Sequence, residues 1–177
     1  MKRSAIGLTA LLLLTQPIFA DTKMQNFFSQ KGVTISNKYR DVGEIKVLKG
    51  GSISIRTSEL VNVTNNERMY GLSVGITGKD ANFDIEYVDF DEIAPLVAAI
   101  DYISNFQVIG SSVAKHETSG GLRISTSQEK EKGKRTFEVY GPIKTFREPT
   151  AYLTIEDLAD FKKLLLKSKK NIESMKL

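Results

Sequence analysis

The sequence predicts an α+β fold of two ββββα repeats, in which two curved antiparallel sheets, each followed by a helix, pack as one domain. The first observation is a long stretch of period-two alternation that gives way to helical spacing from Ile93 onward. The second is a repeated phrase: YVDFDEIAPLVAAI at 87–100 returns 65 residues later as YLTIEDLADFKKLL at 152–165. The repeat places a first ββββα unit at 32–106 and a second at 107–177.

The segment 1–20 has the layout of a secretory signal peptide. Lys2 and Arg3 form a basic start, 6–14 is an apolar run too short for an ordinary membrane span, and Ala20 closes a cleavage-like site. The prediction is export to a bacterial periplasm or to the medium, with a mature chain of 157 residues. A retained N-terminal anchor is the alternative, although no stop-transfer pattern follows and no later segment is long enough to span a membrane.

Composition excludes several kinds of site. The chain has no cysteine and one histidine, which rules out disulfides, thiolate chemistry and the usual zinc ligand sets. The net charge of +4 falls to +2 when Lys2 and Arg3 leave with the signal peptide, too little to argue for nucleic acid or an anionic membrane. Lysines do crowd the end of the chain, at 162, 163, 167, 169, 170 and 176.

The first unit begins after 21–31, which shows no clear period and is predicted to be a flexible lead-in tethered by Phe27 and Phe28. Four strands follow as a meander, the first around 33–47, with turn signals such as Asn65-Asn66 between them. The alternation predicts these inward residues: Ile53, Ile55, Thr57, Val61, Val63, Tyr70, Leu72, Val74, Ile76, Phe83, Ile85 and Tyr87.

Each predicted helix starts with the same local chemistry. Asp89 with Glu92 forms a variant capping box before the first helix, which Pro95 restricts to a start near 91–92. Thr154 with Asp157 repeats the box before the second helix. Hydrophobic staples accompany both boxes, Val88 with Ile93 and Leu153 with Leu158.

The second unit repeats the first in its strands as well. GGSISIRTSE at 50–59 is echoed by GGLRISTSQE at 120–129, an offset of 70, and KRTFEVYG then alternates at Phe137 and Val139. One ββββα unit cannot bury both faces of its sheet, so two units are expected to swap or pair their helices around a shared core. Ile100 and Leu165 are expected to point into it.

The order of elements over 32–175 resembles the PUR and Whirly families, whose ββββα repeats bind single-stranded nucleic acid. The resemblance implies a nucleic acid or another polyanion as partner, but no motif of those families matches residue by residue. A sheet surface that binds single-stranded nucleic acid needs exposed aromatic side chains and a basic groove. The strand faces predict few of either: the outward residues are Ser54, Arg56, Ser73, Asp84, Glu86, Arg123, Ser125, Glu138 and Tyr140. Most aromatics, including Tyr70, Phe83, Tyr87 and Phe137, are expected to face inward.

No cofactor or metal site is predicted. The acids of DIEYVDFDE at 84–92 lack the ligand rhythm of an EF-hand and are interpreted as helix capping and solubility. His116 lies beside a predicted turn and is interpreted as a solvated side chain, with no catalytic residue assigned. The C-terminal lysines are interpreted as the favourable charge of a helix end, with binding to anionic lipid as the alternative.

The sequence therefore predicts a non-enzymatic protein: an exported binding or structural module of the bacterial envelope, with an envelope protein or a polyanion as possible partner. A single-stranded nucleic-acid or polyanion binder of PUR/Whirly-like type is the alternative. A hydrolase that uses His116 is the third hypothesis.

Overall fold

The computed structural model describes residues 21–107, 112–131, 134–141 and 149–176, and the predicted signal peptide lies outside them. The first sheet has the order β1-β2-β3-β4 and the second β5-β6-β7-β8, all antiparallel. The elements are α1 (Lys23–Phe28), β1 (Ile35–Lys46), β2 (Ser52–Asn62), β3 (Arg68–Thr77), β4 (Phe83–Asp89), a 3-10 turn (Phe90–Glu92), α2 (Ile93–Asn105), β5 (Lys115–Glu117), β6 (Arg123–Glu131), β7 (Lys134–Tyr140), β8 (Thr150–Leu153) and α3 (Ile155–Met175). This confirms the predicted fold of two ββββα units.

The two units exchange their helices. α3, at the end of the second unit, packs mainly on β1 and β2 of the first sheet, whereas α2 packs on α3 and against β5 and β6. Gly43 permits the close approach of α3, because a Cβ there would lie 2.8 Å from Leu164 Cδ2. Lys167 Nζ donates to the carbonyl of Val42, at a bulge in β1, over 2.9 Å. Both sheets and both long helices therefore share one core.

The local signals at the helix starts are present as predicted. Reciprocal capping boxes occur at Asp89–Glu92 and at Thr154–Asp157. In the second box the Thr154 N–H donates to Asp157 Oδ2 over 2.8 Å, and the Asp157 N–H donates to Thr154 Oγ1 over 3.1 Å. Pro95 lies in the first turn of α2, where a missing N–H is tolerated.

The strand echo at an offset of 70 does not hold in the structure. Ile53 and Ile55 are buried in the core, whereas Arg123 and Ser125, 70 residues later, lie on the opposite side of their strand from the buried Ile124. An offset of 70 would pair inward residues of β2 with inward residues of β6 only if both strands began at the same distance from their Gly-Gly turns. The inward side chains of β6 are shifted by one residue relative to those of β2. The offset of 65 at the helices does hold, since it relates buried residues of α2 to buried residues of α3.

The segment predicted as a flexible lead-in contains a helix. Thr22 caps α1 through a box with Gln25: Thr22 Oγ1 accepts from the Gln25 N–H over 3.0 Å, and the Thr22 N–H donates to Gln25 Oε1 over 2.8 Å. Met24 and Phe27 are buried and pack on Leu60 in a second, small core. Phe27 is thus tethered as expected, while Phe28 is 54% exposed.

The alternation predicted for β4 is reversed. Three of its residues lie opposite buried residues of β3 and share their inward side: Asp84, Glu86 and Val88. Phe83, Ile85 and Tyr87 consequently face outward, contrary to prediction. The hydrophobic staple explains the reversal, because its residue Val88 is fully buried beneath the start of α2. Successive side chains of a strand point to opposite sides, so the inward position of Val88 turns Tyr87 outward.

Glu86 therefore points inward instead of facing solvent. It is fully buried, and a Cβ on Gly141 would lie 2.6 Å from Glu86 Oε1 and 3.3 Å from Asp84 Oδ2. Both carboxylates thus lie against the end of β7 in the second unit. The two units also meet at an isolated β-bridge, where the Leu48 N–H donates to the Tyr152 carbonyl over 2.8 Å.

Candidate functional site

The outward side of the first sheet is divided into a covered end and an open end. α1 covers the end that carries Leu60, Met69 and Tyr87. Gly71 allows this contact, because a Cβ there would lie only 2.0 Å from Met24 Sδ. The open end, called here the β1–β4 face, contains a groove of about 290 Å³ lined by Glu44, Ser52, Ser54, Arg56, Ser73, Gly75, Thr77, Phe83 and Ile85.

An aromatic ring and an aliphatic side chain form the apolar part of the β1–β4 face. Phe83 is 59% exposed and Ile85 is 38% exposed. Gly75 lies opposite Ile85 in the sheet, and a Cβ there would come 2.5 Å from Ser54 Oγ and 3.0 Å from the Phe83 ring. The absence of a side chain at Gly75 therefore lets the Ser54 hydroxyl and the Phe83 ring lie close against the strand.

The charges of the β1–β4 face are paired with one another. Arg56 Nε lies 2.6 Å from Asp41 Oδ1, and the guanidinium carbon lies 5.4 Å from the ring centroid of the exposed Tyr39. Lys46 Nζ lies 2.6 Å from Glu44 Oε1, and its hydrogen bond, with that of Ser52, lowers the pKa of Glu44. The face thus combines exposed rings, hydroxyl groups and locally compensated charge.

The outward side of the second sheet differs in chemistry. Its groove of about 360 Å³ is lined by Val113, Lys115, Ser125, Thr126, Ser127, Glu138 and Tyr140. Arg123 Nη2 lies 2.9 Å from Glu117 Oε1, and this hydrogen bond lowers the pKa of Glu117. The outward positions predicted in this sheet do face outward, but Arg123 and Ser125 are buried. The outward arginine of the second sheet is therefore less accessible than Arg56 of the first, which is exposed.

The acids at the start of α2 hold neighbouring segments together as well as capping the helix. The Asp89 carboxylate accepts from the N–H groups of Lys23 and Met24 over 2.8 and 3.0 Å, which anchors the N-terminal end of α1. Lys23 Nζ lies 2.5 Å from Asp91 Oδ2 and lowers the pKa of Asp91. Glu92 Oε1 accepts from the N–H and hydroxyl of Ser119 in the second unit, over 2.7 and 2.8 Å.

No metal-binding arrangement is found within the described ranges, in which no group of three or more His, Asp or Glu side chains is suitably placed. His116 pairs with Ile124 across β5 and β6. Burial lowers the pKa of His116, and the negative charge of Glu92 opposes the shift. Among the residues that the structure describes, no side chain is hydrogen-bonded to the imidazole.

The lysine-rich helix α3 is fastened to the first unit. Its apolar stripe is fully buried in the shared core. Lys162 Nζ lies 2.5 Å from Asp101 Oδ1 of α2, and Lys176 Nζ lies 3.6 Å from the ring centroid of Phe90. In the part of the chain that the structure describes, no helix combines the length and apolarity needed to cross a membrane.

No protein-family model matches the chain, and no match was found among curated proteins. Function is therefore inferred from the surfaces of the molecule. Sequence alternation missed the exposed Phe83, and the signal that could have found it was the staple residue Val88, which fixes the inward side of β4. Tyr39 is 63% exposed and lies in β1, for which no inward residues were predicted.

Proposed function

We propose that the protein is an exported, non-catalytic binding module of the bacterial envelope, and that its β1–β4 face binds a neutral, polyhydroxylated ligand such as a glycan. The observation that carries this proposal is Phe83, a 59% exposed ring that lines the groove and lies close against Gly75. Isolated exposed aliphatic residues are common on protein surfaces. An exposed ring next to a polar groove is the arrangement that a ligand with both an apolar face and hydrogen-bonding groups would use.

The chemistry of the face favours a neutral ligand. The C–H side of a sugar ring can stack on Phe83, while its hydroxyl groups exchange hydrogen bonds with Ser54, Ser73 and Glu44 along the groove. Arg56 and Lys46 are each within 2.6 Å of a carboxylate oxygen. Such compensated cations attract a polyanion weakly at physiological ionic strength.

A single-stranded nucleic acid is the second candidate. It is favoured by the outward orientation of Phe83 and Tyr39, since bases stack on exposed aromatic side chains. The paired charges predict that such binding is weak and depends little on salt, because few counterions are released.

A panel of immobilised probes distinguishes these candidates: chitopentaose and maltohexaose as neutral glycans, and oligothymidylate as a polyanion. The proposal predicts glycan binding that changes little with salt and drops at least tenfold in Phe83→Ala. Tyr102→Ala is the matched control, because Tyr102 is a 65% exposed ring on α2, outside the β1–β4 face. Sub-micromolar oligothymidylate binding at physiological salt, with no glycan binding, would favour the second candidate.

Export is supported by the basic, apolar and small-residue pattern of 1–20. Cleavage after Ala20 would leave Asp21 as the first residue and keep the capping residue Thr22 of α1 in place. Intact-mass measurement of the protein from periplasm or medium tests this, with a chain that begins at Asp21 as the expected result. A membrane-bound species that retains Met1 would contradict it.

A further inference from the structure

A groove of about 600 Å³ lies between α2 and α3 and shares no lining residue with the β1–β4 face. Its volume is within the range of small-molecule sites, about 300–1,000 Å³. It is lined by Ile100, Asp101, Ser104, Asn105, Arg135, Ile155, Leu158, Ala159, Lys162, Lys163 and Leu166.

Aliphatic side chains form the floor and the walls of this α2–α3 groove. Ile100 and Leu158 belong to the buried core and close the groove from below. Ile155 and Leu166 are 39% and 41% exposed, although both are large and apolar. An aliphatic chain that lies between Ile155 and Leu166 would remove their apolar surface from water, which is favourable in proportion to the area covered.

The charged residues of the groove are mainly cationic. Lys162, Lys163 and Arg135 are basic, and Asp101 is the single acid in the lining. Asp101 pairs with Lys162, and Lys163 Nζ lies 2.8 Å from Oδ1 of Asp160, which is outside the lining. Arg135 donates to the Phe106 carbonyl over 2.5 Å and to the Ser104 carbonyl. The carbonyls at the C-terminal end of α2 carry only partial negative charge, and the exposed Lys163–Asp160 pair is weak. The groove therefore keeps a positive surplus.

We propose that the α2–α3 groove binds a small anionic amphiphile, with its aliphatic chain between Ile155 and Leu166 and its acidic headgroup near Lys163 and Arg135. The apolar walls select for a hydrocarbon chain, and the positive surplus selects for an anionic head over a cationic one. The site is independent of the glycan-binding face, so either proposal can fail without the other.

Calorimetric titration of the mature chain with decanoate, below its micelle concentration, tests the site. The expected result is one site per chain, with affinity at least tenfold lower for decyltrimethylammonium, which has a matched chain and a reversed charge. Leu166→Gln and Lys163→Gln are each expected to weaken decanoate binding at least fivefold. Val63→Gln is the control, since Val63 is a 59% exposed aliphatic residue elsewhere. Circular dichroism confirms that each variant is folded.

Three outcomes would overturn the proposal. Decanoate fails to bind, or it binds no better than the cationic amphiphile, or its affinity is unchanged in Leu166→Gln. Sedimentation equilibrium adds a fourth: a dimer that Leu166→Gln dissociates would show that a second copy of the chain covers the groove. A monomer that binds decanoate with the expected charge preference supports the site.

Discussion

Ile100 of α2 and Leu165 of α3 are 65 residues apart and occupy equivalent positions in the shared core, where they are 1% and 0% exposed. Each helix reaches that core by packing on the other unit's strands, α2 on β5 and β6 and α3 on β1 and β2. α3 also contacts β7 and β8, so both helices lie against the second sheet, whereas α3 is the main cover of the first. The stability of the two units is expected to be coupled, because each contributes a helix to the other.

The first prediction is that Ile100→Asp and Leu165→Asp are similarly severe. Truncation of a buried aliphatic residue costs about 2–5 kcal/mol, and an unpaired buried charge adds several kcal/mol more. Either total is comparable to the whole stability of a typical domain, about 5–15 kcal/mol. Lys163→Asp, at an exposed position of α3, is the control and should stay within about 0.5 kcal/mol. Urea denaturation is the measurement. If the urea midpoint of Leu165→Asp stays near that of the wild type, α3 does not contribute to the shared core.

Local chemistry made the element order predictable from the sequence. The boxes at Asp89 and Thr154 depend on side chains three residues apart, and their chemistry is the same in any fold. α1 was missed although Thr22 and Gln25 form the same kind of box, because six helical residues give no periodic signal. The exchange of helices could not be decided, since an apolar stripe shows that a helix is covered and not which sheet covers it.

The candidate site was harder to predict than the fold. The sequence of β4 does not decide which side of the strand faces the core, because its aromatic and aliphatic residues alternate with carboxylates. Hydrophobicity favours Phe83 and Ile85 inside, but the chain must bury Val88 to start α2, and Glu86 then follows it inward. Burial of Val88 at the start of α2 thus outweighs burial of Phe83 and Ile85 in β4, and Phe83 is exposed as a result.

The second prediction concerns α1. Met24→Ala should cost about 2–5 kcal/mol, because Met24 is 1% exposed and packs against the outward side of the first sheet. Phe28→Ala is the matched control in the same helix: Phe28 is 54% exposed, and its removal should change stability by about 0.5 kcal/mol or less. Chemical denaturation followed by circular dichroism compares them. Equal midpoints for the two variants would show that α1 does not stabilise the fold.

The third prediction is a pH dependence from His116, whose pKa burial lowers from its ordinary value of 6.5. Below pH 6.5 the unfolded chain takes up a proton at this residue more readily than the folded chain does. The stabilising contribution of the neutral imidazole is thus present above pH 6.5 and lost as pH falls through the interval down to the folded pKa. The wild type should lose stability relative to His116→Gln over that interval. A difference between the two proteins that is constant from pH 7.5 to 5 would contradict this account.

The central claim, that the β1–β4 face is the binding surface, is tested most directly by mapping a bound glycan with backbone amide chemical shifts. Chitopentaose is titrated into isotope-labelled mature protein, with the Phe83→Ala variant as a parallel sample. The account predicts that the largest shifts cluster at Ser54, Ser73, Gly75 and Ile85, and that they vanish in the variant. Shifts that instead cluster on the second sheet or between α2 and α3, and that persist in Phe83→Ala, would contradict it.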